Sequence, residues 1–175
     1  MFSLRVQICT LLIASNFAAA GELSGRRAPS FSLPDSNLVY HDILDYRGRV
    51  LILELITTTC PNCQEMAKTL QLVKQKYAAK LAVLSVVIPP DNVGTAGKFA
   101  KENGITTPVL FDCGITAAAY FKATPSNSSI HVPHLFVIDQ QGMIQDDFEA
   151  PSMDAIQAAV DKLIAPAKAP AQKKK

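Results

Sequence analysis

The chain has 175 residues, 49% of them apolar, which is long enough for one domain with a sizeable core. Its formal net charge at pH 7 is only +2, and Lys173, Lys174 and Lys175 at the very end contribute to it. That balance leaves no basic face for nucleic acid and no strong charge bias towards any other partner.

Arg5 precedes an apolar stretch from Val6 to Phe17, and Ala18-Ala19-Ala20 supplies the small residues an exporting peptidase needs. Residues 1–20 therefore read as a secretory signal. The apolar run is shorter than the roughly 20 residues that span a bilayer, so cleavage is expected, with tethering only if the segment is retained. The destination is periplasmic or extracellular. Cys9 leaves with the segment and stands too early in it for lipidation. The domain expected over residues 21–165 then keeps Cys60, Cys63 and Cys113. That is an odd number in an oxidising compartment, so at least one thiol is left for chemistry.

Next in chain order, "APSFSLP" (Ala28 to Pro34) predicts a short alternating strand, and "DILDYRGR" (Asp42 to Arg49) a turn of helix closed by a turn at Gly48. "VLILELI" (Val50 to Ile56) is a near-continuous apolar run that suits a central strand buried on both faces. From Pro61 to about Tyr77, Met66, Leu70, Val73 and Tyr77 recur at helical spacing, and Pro61 suits the first helical position. "LAVLSVVI" (Leu81 to Ile88) predicts a second buried strand, Val93 to Asn103 a helix ended by Gly104, and "PVLF" (Pro108 to Phe111) a third strand. Strands alternating with helices predict βαβ units and a parallel sheet. Ile115 to Phe121 is expected to be helical, and "KATPSNSSI" a surface loop. "HLFVID", "DQQG" and "MIQDDFE" predict a hairpin turning at Gly142, and Ser152 to about Ile164 a last amphipathic helix. Residues 166–175 form an Ala/Pro/Lys-rich tail expected to be disordered.

The chemistry concentrates in "ITTTCPNCQEM", where Cys60 and Cys63 stand on a strand-to-helix corner. Three readings compete. A structural zinc site needs four ligands, and only Cys113, His41, His131 and His134 remain to complete it. A structural disulfide closing so short a loop constrains the unfolded chain little. A redox pair is favoured by position, because unpaired N–H groups and the helix dipole at a helix start stabilise the thiolate that attacks disulfides. Cys63, one turn further in, is placed to resolve the mixed disulfide that Cys60 forms. Glu54 interrupts the apolar run. A carboxylate there is costly unless it reaches solvent, pairs with Lys or Arg, or is held protonated by desolvation.

Three stretches together, "APSFSLPD", "YRGRVLILELITTTCPNC" and "VPHLFVIDQQG", resemble the thioredoxin family in its TlpA/ResA-like, AhpC/TSA-related branch, over about Ala28 to Leu163. The resemblance implies an α/β, thioredoxin-like three-layer fold: a central mixed sheet with helices on both faces. It implies a thiol-disulfide oxidoreductase that exchanges disulfides with disulfide-containing or dithiol protein substrates. A membrane-bound thiol reductase is a candidate electron partner, and a monomer is expected. It assigns catalysis to Cys60, Cys63 and Glu54, with Glu54 taking and returning the proton of Cys63. It sets Pro61, Asn62, Val132 and Pro133 against the substrate, Val132-Pro133 being a cis bond whose Val132 backbone pairs with an extended substrate strand. No metal and no cofactor beyond the redox-active disulfide is implied. The chain departs from thioredoxins in carrying Thr59 where they have tryptophan, and Trp is absent throughout.

Two other functions compete with this one. A peroxiredoxin-type peroxidase using Cys60 has the T-x-x-C of Thr57 to Cys60 in its favour, but the upstream proline and a nearby arginine are missing. A copper-binding chaperone would use Cys60, Cys63 and a histidine such as His134, although related copper carriers space their cysteines more widely. Cys113 reads as a core or partly exposed thiol at a strand end.

Overall fold

A computed structural model describes residues 22–164, so the signal segment at 1–20 and the tail at 166–175 lie outside the described residues. In chain order the elements are β1 (Arg26–Arg27), β2 (Ser32–Pro34), β3 (Tyr40–Asp42), β4 (Val50–Ile56), α1 (Pro61–Tyr77), β5 (Leu81–Val87), α2 (Val93–Glu102), β6 (Val109–Phe111), α3 (Ile115–Tyr120), β7 (His134–Ile138), β8 (Met143–Glu149) and α4 (Met153–Ile164). A 3₁₀ turn at Ile43–Tyr46, capped by the Asp42 side chain, leads into β4.

The apolar run of β4 becomes the middle of a six-stranded sheet in the order β1-β8-β7-β4-β5-β6. β4, β5 and β6 are parallel, whereas β7, β8 and β1 continue the sheet antiparallel. β2 and β3 form a separate two-stranded ribbon. Because side chains alternate along a strand, β4 needs cover on both sides. Leu51, Leu53 and Leu55 pack with Phe31, Ala117, Tyr120 and Phe136 on the α3 side. Val50 and Ile52 pack with Leu70 and Val73 of α1 and with Ile156 and Val160 of α4. Ile56 continues that second face, meeting Cys63 and Ala67 of α1 and Phe99 of α2. The result is the expected three-layer α/β fold.

Two local features place the site. α1 buries Cys63, Met66, Ala67, Leu70 and Val73, a stripe at helical spacing, and carries Lys74 and Lys76 in its last turn, where cations oppose the dipole's negative end. The β7–β8 hairpin turns at Gly142, whose φ of 82° suits a residue without Cβ. Asp139 fixes that turn by accepting from the N–H groups of Gln141 and Met143.

The sequence expectation differs from the structure mainly before β4. The strand expected over Ala28 to Pro34 shrinks to Ser32–Pro34, because Pro29 has no N–H for a ladder, and Ala28 and Phe31 turn into the core. The short polar strands β1 and β3 were not expected at all.

Candidate active site

Cys60 is the N-cap of α1 and Pro61 its first residue, so the strand-to-helix corner holds the first cysteine where free helical N–H groups converge. The N–H of Cys63 points at both Cys60 Sγ, 3.2 Å away, and the Cys60 carbonyl, 3.1 Å away. Cys60 and Cys63 are joined as a disulfide with a Cα separation of 5.2 Å. Cys60 is partly exposed, Pro61 and Asn62 are exposed, and Cys63 is buried. The outer sulfur therefore meets solvent and the inner one does not.

The loop ahead of the pair is anchored by a residue that the sequence reading missed. Asp91, beyond the end of β5, accepts from the Thr58 N–H at 2.7 Å and from the Thr58 hydroxyl. Gln64 in α1 donates to the Thr58 carbonyl. On the other side, the Val132–Pro133 peptide is cis, and the Val132 carbonyl oxygen stands 4.0 Å from Cys60 Sγ. Pro133 is buried and Val132 partly so.

Glu54 is completely buried. It lies between Ile52 and Ile56, so it faces the layer that α1 covers, as Cys63 does. Its Oε2 accepts from the Ser85 hydroxyl at 2.8 Å, and Oε1 has no hydrogen-bond partner among the described residues. Burial pushes its carboxyl up to about 8, against a smaller lowering by Ser85. The alternatives of a solvated edge or a basic partner are thus not what the fold provides. Ser85 was legible in principle, being the polar residue inside the second apolar run.

Other candidates fall elsewhere. Cys113 is a free, exposed thiol beyond the end of β6. His134 is buried on the α3 side of the sheet, edge-on to Phe121 and tilted against Phe136, so it does not join the cysteines as the copper reading required. The described arginines stand at the opposite end of the sheet: Arg47 and Arg49 precede β4, and Arg26 and Arg27 pair with Ile144 and Met143. None is placed to stabilise a peroxidatic thiolate at Cys60.

A thioredoxin-like fold with a dithiol/disulfide couple at the start of the helix after its central strand defines a class, the thiol-disulfide oxidoreductases. The chain belongs to the AhpC/TSA family, whose profile matches residues 24–147. It is 28% identical over 133 residues to the thioredoxin-like protein YneN of Bacillus subtilis, covering 72% of this chain and 71% of that one. It is 30% identical over 124 residues to the thiol-disulfide oxidoreductase ResA of Geobacillus thermodenitrificans, covering 69% of this chain and 66% of ResA. Among solved structures, a thioredoxin family thiol:disulfide interchange protein from Chlorobium tepidum superposes with a TM-score of 0.67 at 20% identity, over 79% of this chain and 95% of that one. The thioredoxin-like superfamily protein SPOA0173 does so with a TM-score of 0.69 at 23% identity, over 81% and 98%. These two likenesses establish the fold.

Proposed function

We propose that the protein is exported and exchanges disulfides with protein substrates through Cys60 and Cys63. In the reducing direction the Cys60 thiolate attacks a substrate disulfide, forming a Cys60–substrate bond and expelling the other substrate sulfur as a thiolate. Cys63, once deprotonated, attacks Cys60 Sγ. The Cys60–Cys63 disulfide forms, the second substrate thiolate leaves, and two electrons have passed to the substrate. The oxidising direction is the same sequence reversed. Glu54 takes the Cys63 proton and returns it, Pro61 and Asn62 face the incoming chain, and the Val132 backbone pairs with it.

The observation that carries this reading is the partly exposed Cys60 at a helix N-terminus, joined to a buried Cys63 over the face that holds Glu54. Arg5, the apolar run to Phe17 and the alanines that follow support export. The test is trapping. Cys63→Ser should accumulate mixed disulfides with exported proteins through Cys60, and Cys60→Ser should accumulate few. Equal trapping by the two variants would overturn the assignment of nucleophile and resolving thiol, and mass spectrometry of the exported form should find residues up to about Ala20 removed.

A further inference from the structure

On the α3 side of the sheet, next to the Val132–Pro133 segment, lies a cleft of about 490 Å³ that thiol exchange does not use. Its lining includes Glu22, Phe121, His131, His134, Asp147 and Glu149. We propose that this cleft is a subsite for a cationic side chain, arginine in particular, near the reacting cysteine of the substrate protein. The proposal rests on the thiol-exchange reading and adds to it the class of substrate.

The wall is built, not merely acidic. His134 is 3% exposed, and neither of its ring nitrogens makes a hydrogen bond among the described residues. Its Nε2 stands 3.5 Å from Asp147 Oδ2, and the Asp147 side chain is itself 8% exposed. Asp147 is held from behind, its Oδ1 accepting from the Leu23 N–H at 3.2 Å. A carboxylate can only accept, so the imidazole proton belongs on Nε2, facing Asp147, which leaves Nδ1 as an acceptor with nothing to accept from. Burial holds His134 below the ordinary histidine range despite the carboxylates of Asp147 and Glu149, so the ring is the neutral species this tautomer requires.

The cleft therefore presents carboxylate oxygens, backed by a buried imidazole whose ring nitrogens have no hydrogen-bond partner among the described residues. The side chain that complements them has many donors and no acceptor, and guanidinium meets that description. The charge agrees, since Glu22, Asp147 and Glu149 outnumber Lys122 in the lining, even with the Arg26 guanidinium within Coulombic range of Asp147. Phe121 adds an aromatic ring, which a guanidinium also favours. A metal ion fits less well, because among the described residues no three histidine, cysteine or carboxylate side chains converge as ligands. An anion would be repelled.

Position gives the cleft its meaning. His131 and His134 flank the two residues Val132 and Pro133, and the Val132 carbonyl is 4.0 Å from Cys60 Sγ. An extended strand advances about 3.3 Å per residue, so an arginine one to three residues from the substrate cysteine reaches the cleft while that cysteine meets Cys60.

The experiment measures exchange between the reduced protein and disulfide-bonded peptides differing at one position two residues from the cysteine, carrying arginine or its uncharged isostere citrulline, alongside 2-hydroxyethyl disulfide as a small probe. The arginine peptide should react about tenfold faster than the citrulline peptide, the size expected of charge-assisted hydrogen bonds. Glu149→Gln, an exposed position, should bring that ratio towards one, as should Asp147→Asn, while Glu102→Gln, on α2 across the sheet, should leave it intact. If the wild type reduces every probe with an arginine-to-citrulline ratio of one, the subsite is wrong and the oxidoreductase reading stands. If it reduces none of them, the oxidoreductase reading itself fails.

Discussion

Glu54 pairs with Leu135, and Leu55 pairs with His134, across the ladder between β4 and β7. Glu54 and His134, both buried and titratable, are thus one register step apart and look in opposite directions. Glu54 faces the layer of α1, α2 and α4, where its neighbours are Ile52, Ile56 and Ser85 and its one hydrogen bond is to a hydroxyl. His134 faces the α3 side, where it meets Asp147 and a cleft. The α1 face holds a fully buried carboxyl with one hydrogen bond, and the α3 face holds a buried imidazole and carboxylates beside a cleft. Alternation of side chains along a strand lets one sheet serve both purposes without mixing them.

The largest expected difference between the faces is in packing. Leu135 is fully buried under the helices, so Leu135→Ala should destabilise the protein by about 2–5 kcal/mol, since a closed site cannot collapse or take up water. His134→Ala, next along the same strand, should cost well under half of that, because the vacated space joins the cleft. Urea unfolding of the oxidised protein decides it. Equal losses would mean that the α3 face is as closed as the other.

The second difference is the effect of pH. The carboxyl of Glu54 titrates near 4.5 when unfolded and near 8 when folded. Between those values the native state holds a proton that the unfolded state has released, so stability falls as pH rises from about 5 to 8 and levels off above. Glu54→Leu removes that loss. Its advantage over wild type should grow by on the order of 4 kcal/mol between pH 5 and pH 9. In single-turnover kinetics Glu54→Gln should keep attack by Cys60 but slow release of the mixed disulfide and lose the limb near pH 8. An unchanged profile would leave Glu54 a structural residue.

How much of this was legible in the sequence follows from where the information sits. β4, α1 and β5 could be read because each carries a long periodic or unbroken apolar pattern, and Glu54 stood out as the interruption of one. β1 and β3 could not, since "RR" and "YHD" are strands only because β8 and β2 offer them partners. The cleft was equally invisible. It depends on the register that sets Glu149 opposite His134, with Asp147 two residues before it, and on an N-terminal segment returning to donate to Asp147. Asp91 and Thr58 are 33 positions apart in the chain, and no local pattern announces their contact.

That contact gives a smaller prediction. Asp91 satisfies two donors of Thr58 and steadies the turn into Cys60, so Asp91→Ala should cost about 1–2 kcal/mol by leaving a partly buried N–H without its acceptor. Thr58→Ala, which removes only the hydroxyl, should cost less. If neither variant changes stability or the rate of attack by Cys60, the anchor is incidental.

The smallest effect separates the two buried groups by sign. His134 is held below the ordinary histidine value of 6.5 by burial, against the pull of Asp147 and Glu149, with His131 adding the least. Below about pH 6.5 the unfolded chain takes up a proton that the native ring refuses, so this group's contribution to stability is complete above that pH and is lost as pH falls through the folded value. Its slope is therefore opposite to that of Glu54, and between about pH 5 and 6.5 the two partly cancel in the wild type. Each substitution should unmask the other group. Glu54→Leu should grow more stable as pH rises from 5 to 7, His134→Gln should lose stability more steeply than wild type over the same range, and the double variant should be nearly flat. Unfolding midpoints at half-unit steps of pH resolve all three, and a His134→Gln profile parallel to wild type would show that His134 is not the neutral, buried ring on which the contrast between the faces rests.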